Sequence, residues 1–128
     1  MAKILLLAAN PKDTSRLQLD KEIREISQAV QYATYGSQFK FEIKVAVRLR
    51  DLLQYLEEVQ PDIVHFSGHG SSSSEIILED ESGNSRPVPK EELNQIFSLL
   101  KGNIRCVVLN ACYAEPQANV IAENIDCV

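Results

Sequence analysis

Residues 62–74 read "DIVHFSGHGSSSS". An apolar run stops at Ser67-Gly68, a histidine follows between two glycines, and four serines come after it. A short apolar run closed by glycine has the length of a strand covered on both faces, not of a helix. The reading predicts a strand that ends at the edge of a sheet and leaves His69 just beyond it.

Similar runs lie on either side. "KILLLAA", residues 3–9, is bounded by Asn10-Pro11, and "IRCVVLN", residues 104–110, is a second near-continuous apolar strand. "FKFEIKVAV", residues 39–47, alternates Phe39, Phe41, Ile43, Val45 and Val47 with mostly polar residues, the period of a strand with one wet face near a sheet edge. Between these runs the spacing turns helical. From Thr14 to Tyr35 the apolar residues Ile23, Ile26, Val30 and Ala33 recur at steps of three and four, with Thr14 or Ser15 to cap and Gly36 to terminate. Residues 50–59 repeat Leu52, Leu53, Leu56 and Val59 before Pro61 stops them, and Lys90 to Leu100 forms a third helix ended by Gly102. "EIILEDESGNSRPVP", residues 75–89, predicts a hairpin turning at Ser82-Gly83-Asn84, inserted outside the main layers. "AEPQANVIAENI" reads as a further helix, and "DCV", residues 126–128, opens a fifth strand.

Strands alternating with helices over short connections imply an α/β three-layer sandwich around a mostly parallel sheet with right-handed crossovers. The expected strand order is 2-1-3-4, as in flavodoxin-like sheets, which carry their sites outside the carboxyl ends of the strands near the order reversal. Three segments then converge on one edge: Asn10 to Asp13, Ser67 to Gly70, and Asn110 to Tyr113.

The bulk numbers restrict what that edge can serve. The 128 residues, 45% of them hydrophobic, suit one domain with a real core. Thirteen basic against eighteen acidic side chains give a net charge of −5, which offers no footprint for nucleic acid or an anionic membrane. The N-terminal apolar run ends well short of the ~20 residues of a membrane span. Cys106, Cys112 and Cys127 are odd in number and lack CxxC spacing, which favours neither a disulfide framework nor a zinc cluster and fits a reducing cytoplasm.

His69 lies just past the third strand and Cys112 just past the fourth, so neighbouring parallel strands about 4.8 Å apart bring them together. That is the arrangement of a thiol nucleophile and its base. A free thiol, with a pKa near about 8.5, is mostly protonated at neutral pH, and a neighbouring imidazole raises the thiolate fraction and later protonates a leaving amine. Gly68 and Gly70 leave room for a substrate backbone, and the amides of Gly70 and Cys112 can point at a developing oxyanion. Cys106 and Cys127, inside apolar strands, are expected to pack in the core, and His65 to be a packed strand histidine. A zinc site built from His65, His69 and Cys112 has no preset geometry, and no metal or other cofactor is expected. The serines read as a flexible loop, and "LEDES", residues 78–82, as a solvated hairpin edge without calcium-loop spacing.

"HFSGHG" after one strand and "VVLNAC" after the next resemble the caspase-like cysteine peptidases, and more closely their bacterial CHAT branch. "ILLLAANP" with "LQLDKEIREI", "PDIVHFSGHG", "ILEDESGNSRPV" and "CVVLNACYAEPQANVIAENIDCV" follow in matching order, so the resemblance covers residues 1–128 as one CHAT domain. It implies a clan CD endopeptidase with a dyad at His69 and Cys112, acting on a protein or peptide substrate. The resemblance also implies that Asn110, two before the nucleophile, lines the primary specificity pocket, with Asn10 at the end of the first strand beside it. Where the family has a glutamine in aspartate-directed caspases or an acid in base-directed metacaspases, this chain has the neutral amide Asn110, with Asn10 neutral as well, which supports neither preference. The remaining pocket wall in the family follows the fifth strand and is absent here, so the domain is expected to lack its C-terminal part, as a processing product or one piece of a longer protein. CHAT domains usually occur beside sensor or repeat domains in bacterial signalling and antiviral defence, which implies regulated activity. Two other functions fit the same edge: a non-catalytic interaction module, and a nucleotide- or NAD-handling signalling domain. The second is disfavoured because "NPKDTS" replaces a glycine-rich phosphate loop.

Overall fold

A computed structural model describes residues 2–14, 19–33, 38–71, 75–100, 103–111, 119 and 122. The elements are β1 (Ala2–Ala8), α1 (Leu19–Tyr32), β2 (Phe39–Lys44), α2 (Leu49–Val59), β3 (Ile63–Ser67), β4 (His69–Ser71), β5 (Glu75–Glu79), β6 (Ser85–Pro89), α3 (Lys90–Leu100) and β7 (Cys106–Asn110). The expected final helix and fifth strand, with Cys112, Cys127, the two possible helix-ending residues Gly36 and Gly102, and Ser72 to Ser74, lie outside the described residues.

The parallel sheet has the order β2-β1-β3-β7, the 2-1-3-4 expected from the alternation of runs. The side-chain period of two divides each central strand between its faces. Leu5, Leu7 and Ala9, with Val64, Phe66 and Val107, join Leu52, Leu56 and Val59 of α2 and Leu93, Ile96 and Phe97 of α3. Leu6 and Ala8 pack on the other face with Leu19, Ile23, Ile26 and Phe41, so α1 covers that face alone among the described elements. Burial on both faces is complete over Leu5 to Ala8 of β1, which is why that strand reads as an unbroken apolar run.

Three expectations change in detail. The second strand ends at Lys44 rather than Val47, because Ala46 takes a left-handed backbone (φ 53°), which leaves Val45 exposed and turns Val47 into the core. The hairpin is not an external insertion. It gains β4 as a third strand (order β4-β5-β6), and its inner side chains Ile76, Leu78 and Val88 are buried in the main core. "LEDES" is not merely solvated: the Asp80 carboxylate accepts from the amides of Ser82 and Asn84 to hold the turn, where Gly83 takes a φ of 82°, and Glu81 pairs with Arg48 and Arg50. Among the described residues no helix is long and apolar enough to cross a membrane.

Candidate active site

The ladder aligns the carboxyl ends of the strands. Ala8 pairs with Ser67, and Ser67 with Asn110, so the last residues of β1, β3 and β7 form one row. Two hydrogen bonds continue it past the strand ends, from Ala9 N–H to the Ser67 carbonyl (3.2 Å) and from Gly68 N–H to the Asn110 carbonyl (3.2 Å). Asn10, His69 and residue 112 each follow this row by two positions.

His69, just past β3 as expected, is half-buried and is itself the first residue of β4, paired with Ile77 of β5. Gly70 pairs with Ile76 in the same ladder. Pairing with β5 on one side fixes the His69 backbone at the sheet edge, which limits where its ring can swing. Cys112, the second member of the expected dyad and oxyanion pair, lies outside the described residues, so the structure does not test that pair.

The glycine before His69 has an internal reason to be there. A Cβ at Gly68 would lie 2.8 Å from the Ala9 carbonyl oxygen and 2.8 Å from the Phe66 ring, so the close approach of the chain after β1 already requires a glycine here. Gly68→Ala is expected to cost about 1–3 kcal/mol, as overpacking does. A urea midpoint lowered accordingly checks this, and an unchanged midpoint refutes it.

Asn10 is held through its backbone: its N–H donates to Glu79 Oε2 (3.0 Å). The segment after it is latched to the hairpin, with Lys12 N–H on the Gly83 carbonyl (2.9 Å) and Asp13 accepting from Ser85 N–H and Oγ (2.8 Å each). The Ser85 hydroxyl bond is the main cause that holds the Asp13 carboxyl below its usual range. Hairpin and first strand end therefore move together, a link that no local sequence pattern announces.

Asn110 is exposed and donates from Nδ2 to Glu22 Oε1 (2.5 Å). The same oxygen accepts from Ser67 Oγ (2.8 Å) and lies 3.4 Å from His65 Nε2, which is also 3.0 Å from Ser67 Oγ. His65 is thus a packed strand histidine, 18% exposed in its side chain, but it packs into a polar cluster on the α1 face. Burial pushes the Glu22 carboxyl up, and hydrogen bonds from Ser67, Asn110 and His65 outweigh it, leaving the group below its ordinary value of 4.5. Glu22 and Ser67 were not singled out in the sequence. One signal was available: Glu22 stands among Leu19, Ile23 and Ile26, the sheet-facing stripe of α1, where a carboxylate is out of pattern. Cys106, expected in the core, is half-buried on β7. Among the described residues no group of three or more histidine, cysteine or acidic side chains is placed to hold a metal ion.

Besides the exposed Asp13, two partly buried carboxyls are lowered, with a consequence for stability. Asp51 is held down chiefly by its hydrogen bond from Arg48, and Glu22 by the cluster just described. A carboxyl lowered in the folded state stabilises above its unfolded pKa, and that stability is lost as pH falls through the folded value. The urea midpoint is expected to hold near neutrality and to drop below about pH 4.5, the ordinary glutamate value, with Glu22→Gln flattening the drop. An equal slope in that variant refutes the assignment.

A family model described as "CHAT domain" matches residues 1–126. A relative named "Roc-COR-CHAT protease", from an unknown prokaryotic organism, is 30% identical over 97% of this chain and 12% of its own length. One named "Probable protease", from Gillisia limnaea, is 25% identical over 96% of this chain and 22% of its own length. The chain thus spans less than a quarter of either relative.

Proposed function

The chain belongs to the CHAT domain family, a caspase-like protease family, and from that premise we propose that it is a cysteine endopeptidase working through Cys112 and His69. The observation that carries the reading is the in-register pairing of Ser67 with Asn110, which ends β3 and β7 together and starts both candidate residues from one row.

In the proposed reaction the Cys112 thiol gives its proton to His69, and the thiolate attacks the scissile carbonyl carbon. The amides of Gly70 and Cys112 stabilise the oxyanion. Collapse breaks the C–N bond as His69 protonates the leaving amine, and water activated by the same imidazole then hydrolyses the thioester. Asn110 and Asn10 line the pocket for the residue before the cut. The longer relatives support a domain regulated by other parts of a larger protein, as an effector in bacterial signalling or defence, and a catalytic thiol suits the reducing cytoplasm.

The test is reaction with peptidyl chloromethylketones that differ only in the residue before the cut, read by intact mass. A single adduct on Cys112 that requires His69 and favours one side chain supports the peptidase. Absence of any adduct on the natural full-length, activated protein overturns it and favours an interaction module of the same fold.

A further inference from the structure

One side chain that the dyad reading does not use ties the relevant strand ends together. Glu22 belongs to the first turn of α1, on the face turned to the sheet. Its Oε1 accepts from Ser67 Oγ at 2.8 Å and from Asn110 Nδ2 at 2.5 Å. Ser67 and Asn110 are the terminal residues of β3 and β7 and pair with each other. Each stands two residues before a member of the proposed dyad.

We propose that Glu22 is a positioning residue that sets the distance and aim between His69 and Cys112 by anchoring both strand ends to α1. The inference rests on the dyad reading above. The backbone ladder ends with the bonds that Ala9 and Gly68 make to the Ser67 and Asn110 carbonyls, so a side-chain tether at those two residues holds the last fixed points before His69 and residue 112. The Ser67 side chain is fully buried and requires a partner, which Glu22 supplies. Bonds to a carboxylate are about twice as strong as neutral ones. An ionised carboxylate only accepts, so Asn110 must turn its NH2 to Glu22 and its amide oxygen away, which fixes the orientation of a pocket residue as well. His65 closes the cluster from the side, with its Nε2 within 3.4 Å of Glu22 and 3.0 Å of Ser67 Oγ. Catalysis is sensitive to such placement: a shift of about 1 Å at a reacting group costs roughly 100-fold.

Glu22→Gln keeps the shape and removes the charge. It is expected to lower kcat by about 10- to 100-fold with KM within a factor of about three, and to raise the pH midpoint of Cys112 alkylation by iodoacetamide toward the free-thiol value near 8.5. Ser67→Ala, which removes one tether, is expected to move both readouts the same way by less, and to add little on a Glu22→Ala background because both act through one carboxylate. If Glu22→Gln fails to fold, Ser67→Ala carries the same two readouts. A merely structural role would lower the urea midpoint and leave kcat and the alkylation midpoint at wild-type values, and that result overturns the inference alone. Wild-type protein whose Cys112 is alkylated no faster than in His69→Ala overturns the dyad, and this inference with it.

Discussion

Replacing Cys112 with alanine is expected to lower peptide cleavage by at least about 10⁴-fold, the scale seen when a covalent nucleophile is removed and only binding and oxyanion contacts remain. His69→Ala is expected to cost roughly 10²–10⁴-fold, the usual share of general acid–base catalysis, with the loss easing as pH rises and the thiol ionises unaided. The two deletions should not multiply, because without the thiolate the imidazole has nothing to activate. His69 begins β4 and is fixed by its pairing with Ile77, so its removal should leave the urea midpoint close to wild type. Measuring kcat/KM on one peptide for the wild type, both single variants and the double variant decides the matter. Full activity in Cys112→Ala refutes a thiol mechanism. Equal, additive losses refute a dyad.

Leu7→Ala is expected to have the largest effect on stability, about 2–5 kcal/mol. Leu7 is 1% exposed on β1, the strand flanked by β2 and β3, where its register partners are Lys44 and Phe66. Its side chain lines a small apolar void of about 20 Å³ shared with Leu52, Val64, Phe66, Leu93 and Phe97. Truncation enlarges a cavity walled by the parallel sheet, β5, α2 and α3 at once, which cannot all move in to fill it. A loss of this size is a large part of the 5–15 kcal/mol typical of a domain. Urea unfolding should show a lowered midpoint with an unchanged slope. A loss below about 1 kcal/mol would mean that the core collapses around the site.

The acid-sensitive stability and the Glu22 tether both arise from one cluster, and that cluster marks where sequence reading reached its limit. Run length identified β1, β3 and β7 because short apolar runs closed by Asn, Gly or Pro have the length of strands, even though Val108 of β7 is 41% exposed, and the alternation of strands with helices then ordered them. The end of β2 escaped the same logic. Val45 and Val47 continue the alternating pattern, yet Ala46 turns left-handed and Val47 leaves the sheet for the core between β1 and the hairpin, with its N–H on the Ala8 carbonyl and its carbonyl on Glu79 N–H. Period-two spacing records which residues are apolar, not which layer buries them. The sequence places His69 past the end of the third strand with no strand of its own for a related reason: "HGS" has no strand pattern, and only pairing with "EII" of β5 makes it one.

By itself the sequence determined the α/β class, the 2-1-3-4 order and the convergence of Asn10, His69 and Asn110 on one sheet edge, because strand ends and parallel connections follow from local punctuation and chain direction. Tertiary structure alone decided that the hairpin belongs to the core, that Asp13 is latched to Ser85, and that Glu22, Ser67, His65 and Asn110 share one carboxylate oxygen. These contacts join residues 43 to 88 apart in the chain, with only the neighbours His65 and Ser67 closer, and depend on how α1 and the hairpin settle on the sheet. A hydrogen bond of that kind leaves no periodicity behind, since it is made by direction and distance in the folded molecule.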